Sequence, residues 1–315
     1  MDTLITKDVE RKKQRPPMKL NVFKNKKWSD YFWGYLLILP VFLGLGIFYI
    51  IPFFQNLFYS FTDLGSFGKY SWIGLENYKK LFSDPDIPIA LLNTFKYTII
   101  TVPISICISL VIATLLNTKI KGITFYRLMF FLPAITMPAA IATMWKWLYN
   151  GQYGLINQLL NKFGLEGHAW IADPQYAMKA LIIVGIWSSL GMKIIYFLAG
   201  LQGIPKSYYE ASTIDGAGPI RQFFTITLPL LSPTIFFVSI TSLISAFQMF
   251  DIIFMMISKT GLAINSTMSI VYLFYKNAFE YLEKGYASAI SILLFVIILI
   301  ITIIQLKLQK KFTDY

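Results

Sequence analysis

The stretch of sequence that decides the fold is Tyr209–Pro233, which reads YEASTIDGAGPIRQFFTITLPLLSP. It is polar, it contains three prolines and an Asp-Gly pair, and it separates two long apolar runs. A polar connection between membrane-crossing runs has to lie where water or protein satisfies its backbone, so this stretch is predicted to lie at a membrane surface. Its prolines and glycines also predict an ordered structure there, because they mark helix starts and ends.

Two short helices joined at a glycine corner are predicted around the start of this stretch. Pro205 suits the start of the first helix, predicted over Lys206–Ile214, because a missing N–H costs nothing at that position. Gly216 ends this helix, since glycine accepts the left-handed conformation common at helix ends. Pro219 starts the second helix, which is predicted to run to about Ile226. The small residues at the corner would let another surface approach closely.

The composition is typical of a protein solvated by lipid. Of the 315 residues, 56% are hydrophobic and 14% are charged, whereas soluble domains are about one quarter charged. The mean hydropathy is +0.59. The net charge of +12 would suit nucleic acid, but its distribution along the chain favours membrane orientation instead. The single cysteine, Cys107, excludes a disulfide framework and a cysteine metal site.

Six apolar runs each reach the length that a membrane-spanning helix needs. About 20 residues, at a rise of about 1.5 Å each, cross the roughly 30 Å hydrocarbon core. We therefore predict an all-α integral membrane protein with six transmembrane helices and both termini on one side. The predicted helices cover about 31–51, 94–116, 125–149, 177–201, 229–251 and 287–306.

The lysines and arginines indicate which side of the membrane is the cytoplasm. With the basic tail, residues 1–30, placed inside, the inner segments hold 17 Lys and Arg residues and the outer segments hold 7. Cytoplasmic segments of membrane proteins carry such an excess of positive charge. The tail, the 202–228 loop and both termini are therefore predicted to be cytoplasmic, and residues 31–315 to form one transmembrane domain.

Catalytic and nucleotide-binding motifs are missing from the sequence. There is no G-x-x-x-x-G-K-[ST] loop, and the one histidine, His168, cannot form a His-based zinc cluster. Gly216 and Gly218 form a G-x-G, but nothing resembling a parallel strand precedes them. The chain is therefore interpreted as a non-enzyme by itself.

Two of the predicted membrane helices, 177–201 and 229–251, carry polar residues on one face. The residues are Ser189, Lys193, Tyr196 and Gly200 in the first helix, and Thr234, Thr241, Ser245 and Gln248 in the second. Polar residues within the membrane are default candidates for a substrate path, and these groups suit a polyhydroxylated solute such as a sugar. For each serine or threonine, bonding to its own backbone or between helices is an equal alternative.

The two charged candidates for this path are Lys193 and Asp251. Lys193 lies about eight residues, or roughly 12 Å, from the inner end of its helix, so its side chain reaches only part of the way to the surface. A cavity role, snorkelling to the surface and a structural ion pair remain open for it. Asp251 is placed near the outer rim, where it either contributes to the path or acts as an interfacial cap or loop contact.

The stretch Tyr209–Pro233 resembles the cytoplasmic loop of the permeases of binding-protein-dependent ABC importers. The matching residues are Glu210, Ala211, Asp215, Gly216, Ala217, Phe224, Thr227 to Pro229 and Pro233, with Ser212 where a second alanine is usual. Further resemblance to the carbohydrate-uptake branch, which includes maltose and multiple-sugar permeases, lies in Trp72–Tyr78, Phe197–Pro205, Phe247–Asp251 and Gly285–Ala289. The resemblance covers about residues 30–310.

This resemblance implies a type I ABC importer permease fold with a cytoplasmic coupling helix. It implies that the loop docks into a separate ATPase dimer, which binds the ATP and Mg²⁺ while this chain binds no cofactor. The residues implied for docking are Glu210, Ala211, Ser212, Asp215, Gly216, Ala217 and Gly218. A second homologous permease subunit and an extracellular solute-binding protein are the other implied partners, in a bacterial inner or plasma membrane, among lipid and without nucleic acid.

The function that the resemblance implies is import of a sugar or oligosaccharide. One alternative is that the same family imports a phosphorylated or other polar solute, which Lys193 would suit. Another is an ion-coupled secondary carrier, but this needs charged coupling sites near the midplane and usually an internal repeat, and the sequence shows no repeat. A membrane enzyme is disfavoured by the missing catalytic motifs.

Overall fold

The structure, a computed structural model, describes residues 23–118 and 121–313, and the side-chain environments of residues 31–118 and 121–309. Regular structure in these residues is helical, which confirms the predicted class, and their one extended pairing is a bridge between Thr62 and Trp72. The helices are α1 (Phe23–Leu45), α2 (Ile51–Tyr59), α3 (Glu76–Ser83), α4 (Asp86–Leu116), α5 (Ile123–Ile135), α6 (Pro138–Leu148), α7 (Leu155–Lys162), α8 (Pro174–Gln202), α9 (Lys206–Ile214), α10 (Pro219–Leu230), α11 (Ser232–Phe247), α12 (Asp251–Met256), α13 (Ile264–Thr267), α14 (Ile270–Tyr275) and α15 (Lys284–Thr313). Short π-helical turns occur at Gly46–Ile50, Phe223–Thr227 and Lys276–Glu280.

The chain forms two compact units, one up to Gln55 and one from Asn56 onward. In the first unit, α1 begins at Phe23, so the predicted tail of residues 1–30 includes residues that are helical. Residues 23–30 contain neither proline nor glycine, so the helix of the apolar run extends back through them. The rest of the predicted tail, residues 1–22, lies outside the described residues.

Four helices are long and apolar enough to cross a membrane, and two bent pairs of helices pass the same test together. The long helices are Tyr31–Tyr59, Asp86–Leu116, Pro174–Gln202 and Lys284–Gln309. The bent pairs are α5 with α6 and α10 with α11. If each pair counts as one span, the described residues contain six spans, the number that the apolar runs predict.

The third predicted helix, residues 125–149, is wrong as one span of continuous helix. α5 and α6 meet at an angle of 101°. Between them, Thr136 and Met137 are extended, with ψ of 136° and 138°. Met137 is driven into this conformation because the ring of Pro138 clashes with a helical residue before it. Pro138 therefore separates two helices instead of bending a continuous one.

The fifth predicted helix, residues 229–251, also differs from the structure. α10 and α11 meet at 66° around Leu231, close to Pro233, which lacks the N–H that would bond back across the bend. α11 ends at Phe247, and Asp251 begins the separate helix α12. Asp251 therefore lies at a helix N-terminus, where a carboxylate is favoured, and not in the last turn of a membrane helix.

Helix α8 has two other helices in very close contact. Tyr97 of α4 lies against Gly185 of α8, and a Cβ at Gly185 would overlap the tyrosine. A Cβ at Gly200 of α8 would come within 2.5 Å of Thr234 Oγ1 on α11. Small residues allow such close approach of membrane helices. These two glycines therefore set how near α4 and α11 lie to α8.

The segment between α2 and α3 is tied to the start of α15. The buried Asn77 side chain donates to the carbonyl oxygens of Ser60 and Thr62 at 2.9 and 2.8 Å. The Gly285 N–H donates to the Leu64 carbonyl oxygen at 2.9 Å. These bonds hold the segment between α2 and α3 against the first turn of α15. Asn77 and Gly285, far apart in the sequence, therefore stabilise the same contact.

Candidate functional site

Two adjoining cavities lie beside α4, α8 and α11. The first has a volume of about 350 Å³ and the second about 390 Å³. They share the lining residues Tyr97, Ser188, Met192 and Ser245. The two cavities are therefore parts of one continuous concave surface.

The structure brings all seven residues predicted for the substrate path to this surface. Those lining the first cavity are Ser189, Lys193, Tyr196, Thr241 and Ser245, and those lining the second are Ser245, Gln248 and Asp251. The other members of the two polar faces, Gly200 and Thr234, contact each other across α8 and α11. The grouping is thus a feature of the fold, while a role in transport stays a prediction.

Two hydroxyl groups in the cavity wall bond to their own helices and keep acceptor capacity. Ser189 Oγ donates to the Ile186 carbonyl at 3.0 Å, and Thr241 Oγ1 donates to the Phe237 carbonyl at 3.0 Å. A hydroxyl that donates its proton keeps its acceptor lone pairs. These oxygens can therefore still accept hydrogen bonds, which would suit a solute rich in hydroxyl groups, while their part in a substrate path stays a prediction.

Lys193 is part of the wall of the first cavity. Only 7% of the residue is exposed, and its Nζ donates to Ser189 Oγ at 2.8 Å. Ser189 lies one turn nearer the start of α8, so the lysine side chain runs away from the Gln202 end of the helix, which argues against snorkelling to that end. None of the ion pairs formed by the described residues includes Lys193 or Asp251. The geometry therefore favours the cavity role for Lys193.

The predicted glycine corner is present, and α9 has the predicted bounds. Asp215 follows the helix, and Gly216 has a φ of +76°, the left-handed conformation typical of a helix end. Of the residues implied for docking, those exposed are Glu210, Ala211, Asp215, Gly216 and Gly218, and those half-buried are Ser212 and Ala217. Ile214 and Ile220, 87% and 77% exposed, flank the corner. Apolar side chains beside charges on a protruding corner are typical of a protein contact surface.

The second helix of the loop is longer than predicted. α10 does not end near Ile226 but continues through a π-helical turn to Leu230. In that turn the Leu228 N–H bonds back to the Phe223 carbonyl. The wider turn carries the helix up to Pro229, whose own N–H is missing.

Gln222 and Tyr209, to which the sequence interpretation assigns no role, hold the corner in shape. Gln222 Nε2 donates to Ser212 Oγ at 3.0 Å and to Thr213 Oγ1 at 2.9 Å. The Tyr209 and Thr227 hydroxyl groups are hydrogen-bonded at 2.9 Å. These bonds join α9 to α10 across the glycine corner. The signal in the sequence was the one amide side chain of α10, next to Arg221 and before a mostly apolar stretch.

An apolar cluster connects the corner to the membrane helices. Its buried members include Ile204, Leu231 and Val238, and Tyr209 and Phe223 pack against it. Because close-packed interiors deform little, a displacement of α9 or α10 has to move the adjacent ends of α8 and α11. The corner is therefore packed, through this cluster, against two of the helices that line the cavities.

Comparison with known proteins identifies similar chains. Residues 89–314 match the family model described as "Binding-protein-dependent transport system inner membrane component". The multiple sugar-binding transport system permease protein MsmF of Streptococcus mutans is 38% identical over 291 residues, covering 91% of this chain and 98% of that protein. The sn-glycerol-3-phosphate transport system permease protein UgpA of Pectobacterium atrosepticum is 34% identical over 285 residues, covering 89% and 95%.

A solved structure has the same fold. It is a chain of the bacterial alginate ABC transporter in complex with the alginate pentasaccharide-bound periplasmic protein. The TM-score is 0.82 at 20% sequence identity, and the match covers 92% of this chain and 98% of that chain. The bent helix pairs and the corner described above thus belong to an importer permease fold.

Proposed function

The chain belongs to the family of binding-protein-dependent transport system inner membrane components, and on this premise we propose that it imports a sugar or oligosaccharide as one permease subunit of an ATP-driven complex. It is an ABC transporter permease of the bacterial inner membrane and crosses that membrane several times. Its relatives are transport permeases and not enzymes. The observation that carries the proposal is the convergence of seven polar residues on two adjoining cavities.

The substrate class rests on the cavity wall and on the relatives. The wall presents hydroxyl and amide oxygens such as those of Ser189, Thr241 and Gln248, which suit the many hydroxyl donors of a carbohydrate. MsmF is named for multiple-sugar transport, and the matched solved structure is that of an alginate transporter. UgpA is named for glycerol-3-phosphate, so a phosphorylated solute is the second candidate, and the buried Lys193 is the observation that favours it.

A second permease subunit is proposed to complete the cavity. Ser245 and Gln248 line it but are exposed on this chain, near the end of α11. Polar side chains at membrane depth are favoured against protein or a water-filled space and not against lipid. A homologous subunit facing them would bury this surface and leave a path for the sugar between the two chains.

An ATPase dimer is proposed to bind at the glycine corner. The exposed Ile214 and Ile220, together with Glu210 and Asp215, need a protein surface that offers both apolar and polar contacts. The excess of positive charge on the side of this loop supports a cytoplasmic position for the loop and for both termini. ATP and Mg²⁺ would bind the ATPase, and this chain would need no cofactor of its own.

An extracellular solute-binding protein is proposed to deliver the sugar to the opposite face. The transporter with the matched fold is described in complex with a sugar-bound periplasmic protein. In this chain, the second cavity is lined by Phe250 and Asp251, which follow the end of α11 farthest from the corner. A sugar released on that side would meet this cavity first.

The proposal is tested by transport into proteoliposomes that contain this chain, its partner permease and the ATPase. We expect uptake of a labelled oligosaccharide that requires both ATP on the ATPase side and the binding protein on the other. Omission of either component should reduce uptake to the level of empty vesicles. Uptake by this chain alone in ATP-free vesicles would instead identify a secondary carrier.

Replacing Gln222 with alanine is expected to weaken coupling. It removes the hydrogen bonds that Gln222 donates to Ser212 and Thr213 on α9, so sugar-stimulated ATP hydrolysis should fall roughly fivefold or more, as the loss of about 0.5–1.5 kcal/mol for each bond implies. The matched control is Gln202→Ala, an exposed amide at the end of α8. Equal activity of the two variants would contradict a bracing role for Gln222.

A further inference from the structure

We infer that Lys193 recognises an acidic group on the transported sugar, so that the substrates are carbohydrates that carry a carboxylate, phosphate or sulfate. This inference rests on the proposed function and specifies its substrate class. Lys193 lines the first cavity together with Ser189 and Tyr196. The acidic group would bind to the Lys193 ammonium, and the surrounding hydroxyl groups would bind the sugar ring.

Lys193 has N–H donors that its one side-chain hydrogen bond does not use. Its ammonium group has three N–H donors and no acceptor. One donates to Ser189 Oγ at 2.8 Å, the side-chain hydrogen bond found for it within the described residues. The other two lie at the wall of a cavity large enough for a small solute. A donor pair on a positive charge is suited to the two oxygens of an anionic group.

The helices around Lys193 carry few negative charges. Within the described residues, the helices that line the two cavities before α12 contain one carboxylate, Asp86, at the first residue of α4. Asp86 already lies 3.6 Å from Lys276. The basic residues of the same helices are Lys96, Arg127, Lys146, Lys179 and Lys193. These helices thus carry more positive than negative charges, and none of the ion pairs of the described residues includes Lys193.

The burial of the Lys193 ammonium without a charged partner costs free energy. Burial of a charge without a partner costs several kcal/mol, even after relaxation and water penetration. A neutral solute would be bound by the hydroxyl groups alone, and a glutamine at position 193 would serve it without that cost. A positive charge at a cavity wall is explained if an anionic substrate offsets the free-energy cost of its burial during transport.

Asp251 does not supply this anion. It lines the second cavity and is exposed at the start of α12, and it forms no ion pair with Lys193 in the described residues. The two charges instead mark different parts of the continuous surface. An acidic sugar would be repelled by Asp251 and attracted by Lys193, which favours passage from the second cavity to the first.

The electrostatic part of the inference is tested without any sugar. In a Cys107→Ser background, Ser245→Cys places a single thiol at the boundary of the two cavities. We expect an anionic thiosulfonate reagent to modify it faster than a cationic one, and Lys193→Gln to lower this rate ratio roughly tenfold, the effect of one unit charge at a distance of several Å. Lys179→Gln, the same change at an exposed position of α8, should leave the ratio unaltered.

The substrate part is tested with the complete importer in proteoliposomes. Matched disaccharides are compared, one neutral and three carrying a uronate, a phosphate or a sulfate, which distinguishes the sources of the negative charge. We expect Lys193→Gln to reduce uptake of the accepted acidic sugar by roughly tenfold or more, the size of a charged hydrogen bond. Lys193→Arg should retain most of that uptake, because it keeps the charge.

Several outcomes would overturn the inference. One is an unchanged reagent ratio in the Lys193→Gln variant. Others are import of the neutral sugar alone by the original chain, or equal loss of neutral and acidic uptake in the variant, which would indicate an ion pair with a partner subunit. Failure of the original complex to import any sugar with ATP would contradict the proposed function, whereas the reagent ratio would still report on Lys193.

Discussion

Replacement of Gly216 with valine is expected to reduce ATP-driven uptake roughly tenfold or more, because a side chain at this left-handed position costs about 1–2 kcal/mol. The φ of Gly216 is +76°, and no heavy atom lies within 4 Å of the position that a Cβ would take. The penalty therefore comes from the backbone and not from a clash. The chain can relieve it only by rotating α9 relative to α10, which would displace Glu210 and Ala217 from the surface proposed to contact the ATPase.

The measurement is uptake in proteoliposomes, together with co-purification of the ATPase. Gly164→Val is the matched control, since Gly164 also has a positive φ, of +74°, and open space around it, but follows α7 instead of the corner. Gly218→Ala adds a side chain at a φ of −73°, where no backbone strain arises. Normal uptake and normal ATPase association in the Gly216→Val variant would contradict a coupling role for the corner.

Replacement of Gly285 with valine is expected to destabilise the protein. A Cβ there would overlap the Thr62 carbonyl oxygen and lie 3.0 Å from the Leu64 nitrogen. Asn77 holds the Thr62 carbonyl oxygen by a hydrogen bond of 2.8 Å, so this oxygen cannot move freely. Overpacking of this kind costs about 1–3 kcal/mol or more. The start of α15 would have to separate from the segment between α2 and α3.

The measurement is the midpoint of thermal unfolding in detergent, which we expect to fall by roughly 5 °C or more, given about 2–4 °C per kcal/mol for a chain of similar size. The matched control is Gly44→Val, a helical glycine of α1 with no heavy atom within 4 Å of its Cβ position. An equal midpoint for Gly285→Val and the original protein would contradict this prediction. It would show that the segment between α2 and α3 can move aside without loss of stability.

Helix ends governed by local chemistry could be predicted well. The bounds of α9 follow from Pro205 and Gly216, since both act through their own backbone conformation. Breaks were predicted less well. The apolar run 125–149 predicted one helix, but the structure breaks it at Met137 with an angle of 101°, because Pro138 disfavours the helical conformation in the residue before it.

The candidate site was predictable as a set of residues but not as an arrangement. Helical spacing placed Ser189 and Lys193 on one face, and Thr241 and Ser245 on another. Spacing could not show that the two faces meet, or that Gly200 and Thr234 contact each other while the rest line cavities. These facts depend on how α8 and α11 approach one another.

The sequence by itself determined the membrane class, the number of apolar runs and the glycine corner between Tyr209 and Pro233. Those features depend on the length of apolar runs and on the backbone preferences of proline and glycine, which act over a few neighbouring residues. Only the tertiary structure decided which way Lys193 points, what Gln222 binds and why position 285 has no room for a side chain. The bonds of Gln222 and the crowding at position 285 come from other segments of the chain, which no local pattern in the sequence encodes. Lys193 bonds within α8, but only the packing of α8 against α4 and α11 places that bond at a cavity wall.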